Sequence, residues 1–172
     1  MNITVQKATV DDVKAISEIC SSSWIETYQG IYPENYIQQV IREYYNPERV
    51  TKEVLETSKY WNGYWVAKRG NQVLGCIGGG VDDQNAGHVY VFYVRPDIKR
   101  QGVGSALIEG LTAYQKETYG ITEQWITSVT EGNRIGIAFY EKTGFRFQYA
   151  NEKQENPKLA KSLHYSRKSS RD

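Results

Sequence analysis

The chain has 172 residues, of which 40% are hydrophobic and 24% charged, and its formal net charge is +1 at pH 7. This length fits one domain that buries a core without metal or disulfide staples, so we expect a single domain over 1–168 and a frayed tail over 169–172. The small net charge gives no general attraction to nucleic acid, and no apolar run approaches the ~20 residues of a membrane span. Because the N-terminus also lacks a signal-peptide pattern, we expect a cytoplasmic protein.

Cysteine usage argues against disulfide and metal chemistry. Cys20 and Cys76 lie far apart in the sequence and show no CxxC spacing or nearby histidine pair. We therefore expect two ordinary buried thiols and no metal site.

The N-terminal part is predicted to contain a strand and then helices. Ile3 and Val5 alternate with polar residues, as in a half-buried strand, and Thr9 with Asp12 forms a capping-box pattern. Residues 24–60 are rich in aromatic and charged side chains and are predicted to form short helices joined by loops. The first helix should lay an apolar stripe on a sheet through Val13, Ile16 and Ile19.

From residue 61 the pattern changes to strands. Tyr64–Lys68 and Val73–Val81 flank a turn signal and predict a hairpin, and His88–Val94 is a third run rich in β-branched and aromatic residues. The sheet is therefore expected to be antiparallel through this stretch. Further along, the sequence predicts a helix from Val103 to Gly120, a strand at Trp125–Val129, a helix at Asn133–Lys142, a strand at Phe145–Tyr149, a strand near Leu163, and a polar tail from Ser166.

The loop Lys99–Gly104 precedes the best-marked helix and is suited to bind an anion. Glycines allow backbone N–H groups to approach a phosphate, the helix N-terminus adds partial positive charge, and Lys99 and Arg100 add full charges. A Walker A loop is excluded because no lysine follows Gly104, and a dinucleotide fingerprint fits poorly because Leu107 stands where a small residue is needed. The remaining alternative is a glycine turn that only starts a helix.

The helix after residue 132 presents two different faces. Asn133, Gly136 and Tyr140 share one face by their spacing and are suited to line a groove. The alternative is that Asn133 only caps the helix and that Tyr140 is an amphipathic surface aromatic. The residues expected on the core side are Ile135, Ala138 and Phe139.

Two segments together resemble a known enzyme family. YVRPDIKRQGVGSALIEGL is similar to the acetyl-CoA signature of the GNAT superfamily of N-acetyltransferases, and NRIGIAFYEKTGF is similar to its second signature. Lys99 departs from the usual Gln or Arg at the first loop position but keeps the positive charge. The resemblance implies an α+β, three-layer α/β sandwich with a mixed central sheet of about six to seven strands, whose N-terminal part is antiparallel. It also implies acetyl transfer from acetyl-CoA to an amine.

The resemblance assigns roles to particular residues. Tyr140 would protonate the departing CoA thiolate, and His88 stands where many relatives carry a glutamate base; Asp82 and Asp83 are rival carboxylates. Direct attack in a ternary complex is favoured over a relay through either cysteine, because neither lies in a signature segment. The residues implied to bind acetyl-CoA are Phe92, Tyr93, Val94, Lys99, Arg100, Gln101, Gly102, Val103, Gly104, Ser105, Asn133 and Tyr140.

The acceptor is less well defined by the sequence. Trp24, Tyr28 and Tyr32, with Glu26 and Glu34, would form an aromatic and acidic pocket suited to a cationic amine, and the amine is a small molecule or a peptide. A homodimer through exposed sheet edges is a further expectation. The alternative functions are a non-catalytic acyl-CoA sensor with the same fold and an NAD-type oxidoreductase.

Overall fold

The computed structural model describes residues 2–98, 100–151 and 160–169. These described residues form one sheet of seven strands and five α-helices. The strands are β1 (Thr4–Lys7), β2 (Tyr64–Arg69), β3 (Gln72–Val81), β4 (Gly87–Val94), β5 (Glu123–Thr130), β6 (Arg146–Ala150) and β7 (Ser162–Lys168), and the helices are α1 (Val13–Tyr28), α2 (Glu34–Tyr44), α3 (Pro47–Leu55), α4 (Val103–Tyr119) and α5 (Arg134–Lys142).

The sheet is mixed. Its strand order is β1-β2-β3-β4-β5-β7-β6, and β4 pairs with β5 in parallel, whereas the other neighbouring strands are antiparallel. The expected antiparallel N-terminal part and the number of strands are confirmed. Within the described ranges, no helix is both long and apolar enough to cross a membrane.

Each face of the sheet is covered by its own hydrophobic core. Helices α1, α2 and α3 pack on one face, where Ile16 of α1 and Val66 of β2 are fully buried. Helix α4 covers the other face with Leu107 and Leu111, and α5 packs beside it through Phe139. Apolar residues on both faces of the central strands therefore produce the three-layer sandwich that the resemblance implied.

Strands β4 and β5 diverge soon after they pair. Their register covers Gly87–Val89 against Gln124–Ile126. On the other side of β4, Gly78 pairs with Val91 and Gly79 with Val89, so Tyr90 is the extra residue of a β-bulge. The bulge coincides with the end of the β4–β5 ladder, and the two strands open from this point.

Helix α5 faces the core differently from the sequence-based expectation. Ile137 and Phe139 pack on the core, but Ile135 is 74% exposed. The placement of Ile135 in the core is therefore wrong, as is that of Ala138, which is also exposed. The reason is that the face of α5 on the core carries Ile137 and Tyr140, which are three residues apart, whereas Ile135 and Ala138 have the same spacing on another face.

The two cysteines are buried, as expected, but they are neighbours in space. The Sγ atoms of Cys20 on α1 and Cys76 on β3 lie 3.6 Å apart in the core. Burial, and then the hydrogen bond to Cys76, raise the pKa of the Cys20 thiol well above its ordinary value. An inert pair of thiols is the result.

The polar tail begins later than the pattern suggested. Ser166 and the two residues after it continue β7, which pairs with both β5 and β6. The prediction of a tail from Ser166 is therefore wrong for these three residues. Residues 170–172 of the expected tail lie outside the described part of the chain.

A buried amide network ties α4 to the start of β4. The Gln115 side-chain NH₂ donates to the Asn62 side-chain oxygen (3.0 Å) and to the carbonyls of Gly80 (3.1 Å) and His88 (3.2 Å). Its oxygen accepts from the side chain of Gln124 on β5 (3.3 Å). Gln115 and Gln124 are fully buried. Because water does not reach them, their polar atoms depend on these hydrogen bonds within the protein.

We predict that Gln115→Leu lowers the free energy of unfolding by roughly 2–4 kcal/mol, because it leaves several buried polar groups without partners. Glu117→Gln, an exposed change on the same helix, should alter it by less than about 0.5 kcal/mol. Urea unfolding of both variants measures the difference. Equal stability of the two variants would contradict the network's role.

Candidate active site

The N-terminus of α4 forms a nest of backbone N–H groups. Gly102 caps the helix with φ at 82°, in the left-handed region that favours glycine, and Arg100 also has a positive φ of 67°. Ala106 N–H donates to the Gly102 carbonyl, so the N–H groups of the preceding turn are those that a helix start leaves without intrahelical partners. These donors and the helix dipole favour an anion at this position.

The side chains of the loop before α4 and of the first turn of α4 differ in their contacts and exposure. Gln101 accepts a hydrogen bond from Arg69 of β2 (3.0 Å), which ties the loop to the first hairpin. Val103 is buried, so its contribution is its backbone N–H, whereas Ser105 is exposed in the first turn. Lys99 lies outside the described residues, so its predicted role stays a prediction.

Close packing brings both signature segments together. A Cβ on Gly104 would lie 3.3 Å from the Phe139 ring and 3.7 Å from Phe92. The rings of Phe92 and Phe139 are 5.5 Å apart in an edge-to-face arrangement. Because Gly104 has no side chain, α4 approaches both β4 and α5, and the nest is held at a fixed position relative to Tyr140.

A small pocket lies where β4 and β5 separate. Tyr28 of α1, Asn133 and Tyr140 lie around it with residues of the two strands. The sequence-predicted Phe92 and Tyr93 are among those strand residues, whereas Val94 packs on the α4 core and its carbonyl accepts from the Ser23 hydroxyl (3.4 Å). The pocket is lined by Tyr28, Val89, Tyr90, Phe92, Tyr93, Ile126, Val129, Asn133 and Tyr140.

The ring of Tyr140 lies among apolar aromatic side chains. Its ring centroid lies 6.0 Å from that of Phe145 and 6.2 Å from that of Phe92. Burial, and then the proximity of Tyr28, raise the pKa of Tyr140 well above its ordinary value. The phenol therefore stays protonated at neutral pH and is available as a hydrogen-bond donor inside the pocket.

Asn133 combines the two roles considered for it. Its side-chain oxygen accepts from the Gly136 N–H (3.0 Å) and caps α5. It directly precedes the helix, and both Asn133 and Tyr140 line the pocket. The cap fixes where α5 begins and so where Tyr140 lies.

Both ring nitrogens of His88 are hydrogen-bonded. Nε2 lies 2.7 Å from the Asp82 carboxylate and Nδ1 lies 2.6 Å from the Thr127 hydroxyl of β5. The His88 ring is stacked on Tyr90, with centroids 5.6 Å apart. His88 thus belongs to a carboxylate, imidazole and hydroxyl chain next to the bulge.

Asp82 is held as a carboxylate by its turn. Partial burial alone would raise the pKa of Asp82, but hydrogen bonds from His88 and from the N–H groups of Ala86 and Gln84 outweigh it and lower the pKa. Asp82 therefore both builds the β3–β4 turn and binds His88. The rival carboxylate, Asp83, accepts instead from the exposed Tyr60 hydroxyl (2.6 Å).

The aromatic residues proposed for the acceptor form one column. Trp24 lies 4.1 Å from Tyr28 between ring centroids, and Tyr28 lies 5.4 Å from Tyr32. Tyr36 extends the column, 4.9 Å from Tyr32. Tyr28 lines the pocket directly, whereas Trp24 packs against the core beneath α1. Glu26 and Glu34 are exposed.

Sequence reasoning missed Thr127 and His164. The pattern places Thr127 only within a strand, and its role depends on the register of a parallel pair that is distant in sequence. His164 of β7 is buried, its ring is stacked on Tyr149 at 4.4 Å, and Nε2 has no hydrogen-bond partner among the described residues. Burial, and then the nearby His88, lower its pKa. The chain has two histidines, and this small number was the sequence feature that could have drawn attention to His164.

Comparison with known proteins decides the family. The model of the acetyltransferase (GNAT) family matches residues 22–145, which include the α4 nest, β4, β5 and α5. The chain belongs to the GNAT acetyltransferase family. It is therefore an acetyltransferase that uses acetyl-CoA and transfers the acetyl group to an amine, as the two signature segments implied.

Individual GNAT relatives agree with this assignment. The chain is 28% identical over 149 residues to a spermidine N(1)-acetyltransferase of Thermoplasma acidophilum, covering 86% of this chain and 91% of the relative. Its fold is similar to that of the PaiA N-acetyltransferase of T. acidophilum, solved in complex with coenzyme A (24% identity, 98% and 100% of the chains, TM-score 0.83). It is also similar to Ard1 of Thermoplasma volcanium (18% identity, 98% of each chain, TM-score 0.68).

In this GNAT protein the α4 nest fits a diphosphate. We predict that Gly102→Val weakens coenzyme A binding at least about 10-fold, because a side chain would enter the space over the N–H groups. Gly120→Val is a matched control: Gly120 caps the other end of α4, also has a positive φ, and also has open space within 4 Å of where a Cβ would lie. Calorimetric titration of both variants with coenzyme A measures the effect, and equal affinities would contradict the nest.

Proposed function

We propose that this GNAT enzyme acetylates a primary amine of a linear polyamine by direct attack on acetyl-CoA in a ternary complex. The observation that carries the proposal is the opening between β4 and β5, which has Tyr140 in its lining and the Asp82–His88 pair on the strand that forms its edge. This arrangement suits a thioester inside the opening and a cationic amine beside it.

Charge and aromatic surface near the bulge support a polyamine. Tyr90 is 49% exposed, and burial and then the Asp82 charge raise its pKa. Because Gly80 has no side chain, the Tyr60 backbone and the Tyr90 ring both pack against it. A Cβ on Gly80 would overlap the Tyr60 carbonyl oxygen and lie 3.2 Å from the Tyr90 ring. Asp83, which follows Asp82 in the sequence and accepts from the Tyr60 hydroxyl (2.6 Å), adds a second carboxylate at this end of β3. Two carboxylates beside aromatic rings suit a ligand with more than one ammonium group. The spermidine acetyltransferase relative supports the same class.

The diverging strand supports the placement of the acetyl group. Beyond Val89 the backbone of β4 is no longer paired with β5, so its polar groups are available to the amides of the pantetheine arm and to the thioester carbonyl. Phe92 and Tyr93 belong to this segment. With the diphosphate on the α4 nest, the acetyl group would lie at the bulge, where Tyr140 donates a hydrogen bond to the departing sulfur.

His88 is proposed as the base that receives the amine proton. A polyamine is charged at neutral pH, and its nitrogen needs a free lone pair before it attacks the carbonyl carbon. Asp82 stabilises the imidazolium that forms. Direct attack is supported over a cysteine relay because Cys20 and Cys76 are completely buried within the α1 core.

An acceptor panel tests the substrate class. We expect kcat/KM for spermidine to exceed that for propylamine by at least about 10-fold, because a second ammonium group reaches a carboxylate. Asp83→Asn should reduce this preference and leave propylamine turnover unchanged. Release of coenzyme A thiol measures the rates. Equal rates for both amines, or a preference for a peptide N-terminus, would reject a polyamine acceptor.

Tyr140→Phe is predicted to lower kcat by on the order of 10²-fold, because it removes the proton donor to the thiolate and little contact area. Affinity for coenzyme A should stay within about 3-fold of the original. Tyr114→Phe is the control, since Tyr114 lies on α4 and packs on Trp65, away from the pocket. Steady-state kinetics of both variants decide the role, and unchanged turnover of Tyr140→Phe would remove Tyr140 from the mechanism.

A further inference from the structure

The hydrogen bonds of His88 determine which of its ring nitrogens carries the lone pair. Asp82 binds Nε2 (2.7 Å) and, as a carboxylate, it can only accept, so Nε2 carries the proton. Nδ1 then carries the lone pair, and the Thr127 hydroxyl donates to it (2.6 Å). The one ring nitrogen of His88 that can accept a proton therefore has the Thr127 hydroxyl as its hydrogen-bond partner.

The turn holds Asp82 in this orientation. Its second carboxylate oxygen accepts from the N–H groups of Gln84 and Ala86, each at 2.9 Å. The carbonyl of His88 is bound by the buried Gln115 (3.2 Å). Backbone and side chain of His88 are thus both fixed, and the tautomer is set by the fold.

The register places Thr127 just past the end of the β4–β5 ladder. The last paired residues of the parallel ladder are Val89 and Ile126, so Thr127 is the first residue of β5 beyond the ladder. On β4 the corresponding residue is the bulged Tyr90, which lines the pocket. The Thr127 hydroxyl, bonded to Nδ1 of His88, therefore lies just past the end of the β4–β5 ladder, next in sequence to the pocket-lining Ile126.

We propose that Thr127 is a proton relay between the acceptor amine and His88, an inference that rests on the proposed function. The ammonium N–H bond breaks and its proton passes, directly or through one water, to the Thr127 oxygen. The Thr127 O–H proton moves at the same time to Nδ1 of His88, and the lone pair left on nitrogen forms the bond to the thioester carbon. The C–S bond then breaks, the sulfur takes the Tyr140 hydroxyl proton, and the second proton of the nitrogen restores the Tyr140 hydroxyl. Threonine ends unchanged, His88 is an imidazolium beside the Asp82 carboxylate, and the imidazolium returns its proton to solvent.

The test compares Thr127→Val, which keeps the shape and removes the hydroxyl, with Thr127→Ser, which keeps the hydroxyl. With acetyl-CoA and spermidine, we expect Thr127→Val to lower kcat by about 10²-fold while KM for acetyl-CoA changes less than about 3-fold. Thr127→Ser should retain activity within about 3-fold. Thr122→Val, at an exposed threonine before β5, is the control, and melting temperatures establish that all variants fold.

The pH profile separates a relay from a structural role. Rates of Thr127→Val should rise steadily up to the pKa of the amine, because solvent then removes the proton, whereas the original enzyme should level off at lower pH. The titratable groups that face His88 are Asp82, Tyr90 and His164, and all are retained in these variants. Asp82→Asn should also lower kcat, since a neutral amide no longer stabilises the imidazolium that the relay forms.

Two results overturn the relay. One is Thr127→Val with the original kcat and pH profile, and the other is Thr127→Ser as impaired as Thr127→Val. Lack of turnover by the original enzyme with every amine would instead reject the proposed function, and the relay with it. The two failures are therefore distinguished by whether the original enzyme turns over an amine at all.

Discussion

The divergence of β4 and β5 after three paired residues each is the constraint on which the site depends. Continued pairing would satisfy the backbone groups of β4 and close the sheet. The bulge at Tyr90 ends the ladder at Val89, so the edge of β4 needs partners that β5 does not supply there. In the proposed function, the amides of the extended arm of acetyl-CoA would meet this need and bring the thioester to the pocket that Tyr140 lines.

Helix α4 connects the two ends of the cofactor site. At its N-terminus Gly102 forms the anion nest, and Gly104 allows contact with Phe92 and Phe139. Near its other end, Gln115 is bonded to the backbone of His88. One rigid helix therefore sets the distance between the proposed positions of the diphosphate and of the base. The same buried amide that we expect to stabilise the fold also holds the backbone of β4 at His88.

Local features of this chain could be predicted from its sequence, whereas distant contacts could not. The hairpins, the α4 nest and the end of α4 at Gly120 follow from turn chemistry and periodicity, which are local properties. The core predictions for Ile135 and Ala138 are wrong because apolar spacing alone does not show which of two possible helix faces meets the sheet. The bond from His88 to Thr127 spans 39 residues, and it depends on a parallel register that no local pattern encodes.

The mechanism requires acetyl-CoA to bind with its diphosphate on the α4 nest and its pantetheine arm along the free edge of β4. A crystal structure of the complex tests this most directly. We expect diphosphate oxygens within hydrogen-bonding distance of the N–H groups of 102–105, and the thioester carbonyl at the bulge beside Tyr140. A cofactor bound elsewhere, or a β4–β5 ladder that closes past Val89 and Ile126 in the complex, would contradict it.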